Sequence, residues 1–123
     1  MKKPSVMMAM CDAYLAGIYG RKFEHDGWHV HIVESEKEVE QEVVKLHPNV
    51  LIYDTACSKH PEKDIRKLHK MPVMQKAKIV AFSEELTQEE IETLKKAGAS
   101  GFLLKGHFAP KEAVQKVRRI IQV

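Results

Sequence analysis

Residues 49–54 read N-V-L-I-Y-D, and the reading of this stretch decides the fold. Val50, Leu51, Ile52 and Tyr53 show neither a helical period nor a clean alternation, which suits a strand buried on both faces of a parallel sheet. The run stops at a carboxylate. In a central strand Asp54 stands at the carboxyl end, the edge where open α/β sheets form their ligand crevices. Taken alone, a solvated aspartate that caps the following loop is the commoner arrangement, so the surrounding sequence has to decide.

Working outward, the chain alternates between two kinds of segment. Residues 5–11 form an apolar run, Val6 to Met10, with Asp12 directly after it. Residues 13–25 carry Leu15, Ile18, Tyr19 and Phe23 at helical spacing, with Gly17 and Gly20 each weakening the helix by about 1 kcal/mol relative to Ala. Gly27 ends it, and residues 28–33 set Trp28, Val30 and Ile32 against His29, His31 and Val33, as a half-buried or edge strand does. Ser35 with Glu38 forms a capping-box pattern for a helix reaching about residue 47, its apolar stripe being Val39, Val43, Val44 and Leu46.

Beyond Asp54, residues 55–60 form a loop and Pro61 stands at the start of a helix spanning about 62–70, anchored by Ile65 and Leu68. Residues 78–82, K-I-V-A-F, give a fourth strand ending at Ser83. A helix then starts with the Thr87/Glu90 capping box and presents Ile91 and Leu94. Gly98 stops it. Residues 101–104 form a fifth buried run ending at Lys105, and Pro110 opens a last helix with Ala113, Val114, Val117, Ile120 and Ile121 on one stripe. Five strands alternating with five helices predict an α/β fold, a doubly wound parallel sheet with helices on both faces, because each parallel connection requires a right-handed crossover.

Composition narrows the function. A length of 123 residues with 44% hydrophobic content fits one globular domain, 1–123. Twenty Lys and Arg against 17 Asp and Glu leave a net charge of +3 with no block of like charges, so neither nucleic acid nor membrane is expected as a partner. No apolar run reaches the length of a membrane span and no secretory signal is evident, which points to a cytoplasmic protein. Cys11 and Cys57 fit neither a metal spacing nor a disulfide framework, in keeping with a reducing compartment. His29 and His31 share a strand face without a third ligand, so solvated histidines are expected.

The ends of the strands carry the chemistry. Asp12, Asp54, Ser83 and Lys105 follow the first, third, fourth and fifth strands, and a doubly wound sheet brings those ends to one edge. Two nearby carboxylates repel, and a hard cation with oxygen ligands relieves this; Mg²⁺ suits one or two carboxylates with waters and phosphate oxygens. A lysine and a hydroxyl on the other side bind the remaining oxygens of a phosphoryl group. The implied chemistry is phosphoryl transfer onto a carboxylate.

With these residues in place, nearly the whole chain resembles the receiver domains of two-component response regulators. The matching pieces are V-L-I-Y-D ending at Asp54, I-V-A-F-S ending at Ser83 and G-F-L-L-K ending at Lys105. The resemblance implies a flavodoxin-like five-stranded sheet of order 2-1-3-4-5 and a stand-alone, non-enzymatic signalling domain. It assigns Asp54 as phosphorylation site, Ser83 and Phe102 as switch residues, Lys105 as the phosphate-binding ammonium, and Mg²⁺ to Asp12, Asp54 and Ala56. The partners implied are a sensor histidine kinase or phosphotransfer protein and a downstream protein target. With no output domain after the last helix, output by protein contact is expected.

The departures cluster at the same edge. Receiver domains end the first strand with two adjacent acids, whereas Met10-Cys11-Asp12-Ala13 offers one, which weakens the expected Mg²⁺ site. Ser58 stands where the family has a proline, Glu84 where it has a small residue, and Gly106 replaces the proline after the lysine. These features support the alternative of a degenerate receiver acting as a phosphorylation-independent interaction module. A flavodoxin-like enzyme or nucleotide binder is disfavoured by the lack of a Gly-rich loop after the first strand.

Overall fold

A computed structural model describes residues 3–106 and 109–122. Its elements follow one another as β1 (Ser5–Ala9), α1 (Ala13–His25), β2 (His29–Val33), α2 (Glu36–Leu46), β3 (Val50–Asp54), α3 (Pro61–His69), β4 (Lys78–Ser83), α4 (Gln88–Ala97), β5 (Gly101–Leu104) and α5 (Pro110–Ile121). The five strands form one parallel sheet of order β2-β1-β3-β4-β5. This is the expected flavodoxin-like topology.

The side-chain period of two divides the core. Val6, Met8, Val50, Ile52, Val80 and Phe82 pack beneath α1 and α5, where Ala16, Tyr19, Phe23, Val114 and Val117 meet them. Met7, Ala9, Leu51, Tyr53, Ile79 and Ala81 face the other way, against Val39 and Val43 of α2, Ile65 and Leu68 of α3, and Leu94 and Ala97 of α4. All five residues of β3 are buried, as its unbroken apolar run requires. At roughly 1.5–3 kcal/mol for each large apolar side chain fully buried, these two cores supply the main driving force for folding the sheet.

Local chemistry explains the element boundaries. Asp12 accepts from the Tyr14 and Leu15 amides at the start of α1, and Thr87 exchanges reciprocal bonds with Glu90 at the start of α4. Gly98, at φ +129°, ends α4 in a conformation closed to side chains, against His69.

Several expectations need correction. Ser35 caps α2 through the Lys37 amide, and no reciprocal bond from the Glu38 carboxylate accompanies it. Val44 and Leu46 are 53% and 41% exposed, so the buried stripe of α2 narrows to Val39 and Val43. That helix covers the margin of the sheet, and two core contacts suffice. α3 begins at Pro61 itself, and the connection after Asp54 contains a short 3-10 turn, Thr55–Cys57. A second such turn, Pro72–Met74, drops Met74 into the core.

The largest correction concerns sulfur. Cys11 and Cys57 form a disulfide with a Cα–Cα separation of 5.7 Å, so they lend no support to a reducing compartment. Strand register explains the pairing. Ala9 lies opposite Tyr53, so the segments leaving β1 and β3 emerge side by side.

Candidate functional site

β3 ends at Asp54, whose side chain is 1% exposed. Its Oδ1 accepts from the Ala56 amide at 3.0 Å, turning the chain into the 3-10 segment, and lies 2.9 Å from Lys105 Nζ. Among the described residues its Oδ2 is buried with no hydrogen-bond partner. An unsatisfied carboxylate oxygen is costly and uncommon in a folded interior.

Lys105 reaches Asp54 from two strands away. The Lys105 amide donates to the Ser83 carbonyl at 2.8 Å, continuing the β4–β5 ladder by one residue. From there the side chain crosses β4, its Nζ passing 5.3 Å from the Phe82 ring centre. Strands β3 and β5 are separated by roughly 10 Å, two interstrand spacings, so only a long side chain spans the gap to a carboxylate. The Lys105 side chain is 14% exposed, so this ion pair is shielded from solvent screening.

Ser83 closes β4 and is 4% exposed. Its hydroxyl is in hydrogen-bond contact with that of Thr55, the residue directly after Asp54. Thr55 and Ser83 together border a cleft of about 700 Å³ that continues between Lys59, His60, Glu89 and Glu90. A larger cleft of about 840 Å³ lies at the amino ends of the strands beside Ser5, His29 and Lys78, away from this chemistry. Glu84 is exposed, and Phe102 is partly buried against the core cluster beneath α4.

The structure thus brings Asp54, Ser83 and Lys105 to one edge. Asp12 is placed differently. Its Oδ1 is engaged by the amides opening α1, and the donors gathered around Asp54 are instead the Cys11 and Cys57 sulfurs, which lie with an Asp54 carboxylate oxygen within 4.8 Å of one another. Ala56 is exposed, its amide committed to Asp54.

Mg²⁺ takes oxygen ligands in a near-octahedral set, and a single carboxylate beside two bonded sulfurs does not match that demand. In its disulfide form the chain does not fit the cation.

One contributor escaped the sequence reading: Thr55 adds a second hydroxyl, signalled only by its adjacency to Asp54. Cys11 and Cys57 both fall just past strand ends, which places them on this edge in the sequence already, and only their bond was not foreseen. Behind them Tyr53 donates to Asp64 Oδ2 at 2.7 Å, and Ser58 donates to the same oxygen, fixing the loop that carries Cys57. Burial, reinforced by Asp64, pushes the Tyr53 phenol well above its ordinary pKa.

No protein-family model matches the sequence, and no curated protein matches it. Solved structures do. A response regulator from Thermotoga maritima superposes with a TM-score of 0.89 at 20% identity, covering 99% of this chain and 100% of that one. The chemotaxis response regulator CheY4 of Vibrio cholerae gives 0.88 at 17%, covering 97% and 99%. A CheY-like receiver domain protein from Methanospirillum hungatei gives 0.88 at 16%, covering 98% and 95%. Over nearly its whole length, the chain has the fold of the response regulator receiver domains.

Proposed function

We propose that the protein is a receiver that accepts a phosphoryl group on Asp54 from a histidine kinase or phosphotransfer protein and signals by contact with a protein target. The observation that carries this reading is the state of Asp54: a buried carboxylate at a sheet edge, with Oδ1 held by Lys105 and an amide and Oδ2 left free. In the proposed step Oδ2 attacks phosphorus in line. The bond from phosphorus to the donor imidazole nitrogen breaks, and its electron pair leaves with the imidazole. The product is an acyl phosphate carrying about −1.5 to −2 charges. Lys105 offsets that charge, and the Ser83 and Thr55 hydroxyls supply donors to the phosphoryl oxygens. Movement of those hydroxyls toward the new oxygens would alter the face formed by α4, β5 and α5, which Phe102 borders. Among the described residues no helix is long and apolar enough to cross a membrane.

The test is incubation of the full chain, oxidised and dithiol-reduced, with a small phosphodonor in Mg²⁺ buffer, followed by intact mass measurement. One acid-stable, base-labile phosphoryl adduct is expected in at least one redox form and is lost in Asp54→Asn. An adduct that survives Asp54→Asn overturns the site assignment. Absence of an adduct in both forms, where an ordinary receiver is labelled, makes the chain a phosphorylation-independent interaction module.

A further inference from the structure

The donor set beside Asp54 matches a different class of cation from the one oxygen ligands select. We propose that, once the Cys11–Cys57 bond is reduced, Cys11, Cys57 and Asp54 bind one soft divalent ion of the Zn²⁺ class. The inference does not depend on phosphorylation of Asp54.

Three observations support it. The two sulfurs and a carboxylate oxygen of Asp54 already lie within 4.8 Å of one another. Tetrahedral Zn²⁺, with Zn–S about 2.3 Å and Zn–O about 2.0–2.2 Å, needs its ligand atoms roughly 3.5–3.8 Å apart, a spacing reached by side-chain rotation once the sulfurs are released. Second, among the described residues Asp54 Oδ2 is buried and unpartnered, so the carboxylate offers an oxygen without breaking a contact. Third, the charges close. Two thiolates and a carboxylate bring three negative charges, and Zn²⁺ with the ammonium of Lys105, 2.9 Å from Oδ1, brings three positive. Three protein ligands leave the fourth position for water, the arrangement of an open zinc site rather than a closed structural one.

The chemistry balances. A dithiol reductant delivers two electrons and two protons to the Cys11–Cys57 bond, giving two thiols, and leaves as its own disulfide. Zn²⁺ then displaces the two thiol protons as it binds. Access is open, since Cys11 is exposed and Cys57 only partly buried. The Cys11 amide donates to Cys57 Sγ at 2.8 Å in the bonded pair.

The experiment titrates the anaerobically reduced full chain with Co²⁺, monitored by thiolate-to-cobalt charge-transfer absorption, and displaces it with Zn²⁺ under equilibrium dialysis. One equivalent per chain is expected. Binding should vanish in the disulfide form of the same sequence, fall at least a hundredfold in Cys11→Ser and Cys57→Ser, and fall at least tenfold in Asp54→Asn. The oxidised wild type serves as the control that needs no substitution, and far-UV circular dichroism of each variant establishes folding. Equal binding by reduced and oxidised chains, absence of a charge-transfer band, or unchanged affinity in Asp54→Asn overturns the proposal.

Discussion

Replacing Lys105 with Met tests how the buried carboxylate is compensated. At 2.9 Å and an effective dielectric of about 20, the gross attraction between Asp54 and Lys105 is about 6 kcal/mol. Much of that is offset by desolvating the two groups, so the net loss on removing one partner of a buried pair is about 3–5 kcal/mol. The Ala56 amide remains bound to Oδ1 and limits the damage, which places the expected loss for Lys105→Met near 3 kcal/mol. Asp54→Asn should behave in the opposite way. It removes the charge whose burial is costly, and the freed ammonium, already 14% exposed, turns to solvent along its aliphatic stem. We expect Asp54→Asn to cost less than about 1 kcal/mol, and the double variant to be more stable than Lys105→Met alone by about 2 kcal/mol. Urea denaturation of the four chains of this cycle at pH 7 measures each quantity. Additive effects, or a Lys105→Met chain within about 0.5 kcal/mol of the wild type, would show that the pair compensates no burial penalty and would refute the reasoning.

Other parts of the molecule give independent checks. The disulfide spans 46 residues, and the loop-closure relation assigns it about 4 kcal/mol, so dithiol reduction should lower stability by roughly 2–4 kcal/mol in urea. Cys57→Ser should match the reduced wild type and show no response to reductant. Gly98→Ala places a Cβ against the His69 ring at φ +129°, whereas Gly27→Ala, at φ +90° with nothing within 4 Å, is strained only by its backbone. The first should therefore cost about 2–3 kcal/mol and the second about 1, and equal losses would remove the steric argument. Tyr53→Phe forfeits the bond to Asp64, with an expected loss of about 1–2 kcal/mol at pH 7. Because the folded-state phenol titrates above its unfolded value, that contribution is complete below pH 10 and is lost as pH rises past it. The gap between Tyr53→Phe and wild type should therefore narrow in alkaline titrations.

The fold was legible because its signals are local and strong. An unbroken apolar run such as residues 50–53 has few solutions other than a doubly covered strand, and the Thr87/Glu90 and Pro110 signals mark helix starts by their own chemistry. Topology then carried Asp54, Ser83 and Lys105 to one edge, since residues at the carboxyl ends of parallel strands converge whatever lies between them. What escaped depends on approach in three dimensions. Whether Cys11 meets Cys57 rests on a 5.7 Å Cα separation across 46 residues, and no spacing rule encodes it. Asp12 read as a ligand because it follows the first apolar run, yet β1 ends at Ala9 and Asp12, three residues on, has its oxygen over the α1 amides, where helix capping competes for it. Val44 and Leu46 fit the helical period but fall beyond the width of the sheet that α2 covers.

Two opposed contributions meet at this edge, and their combination can be measured. The unpartnered Asp54 Oδ2 costs about 1–3 kcal/mol, the penalty of a buried acceptor without a donor. The adjacent disulfide contributes stability of comparable or larger size by restricting the unfolded chain. One acts through the folded state and the other mainly through the unfolded state, so they should add despite their proximity. Cys57→Ser combined with Asp54→Asn is therefore expected to stand as far below Asp54→Asn alone as Cys57→Ser stands below wild type, within about 0.5 kcal/mol. A deviation of more than about 1 kcal/mol would mean that the sulfurs touch the carboxylate energetically in the metal-free chain, and the separation of the two effects would fail.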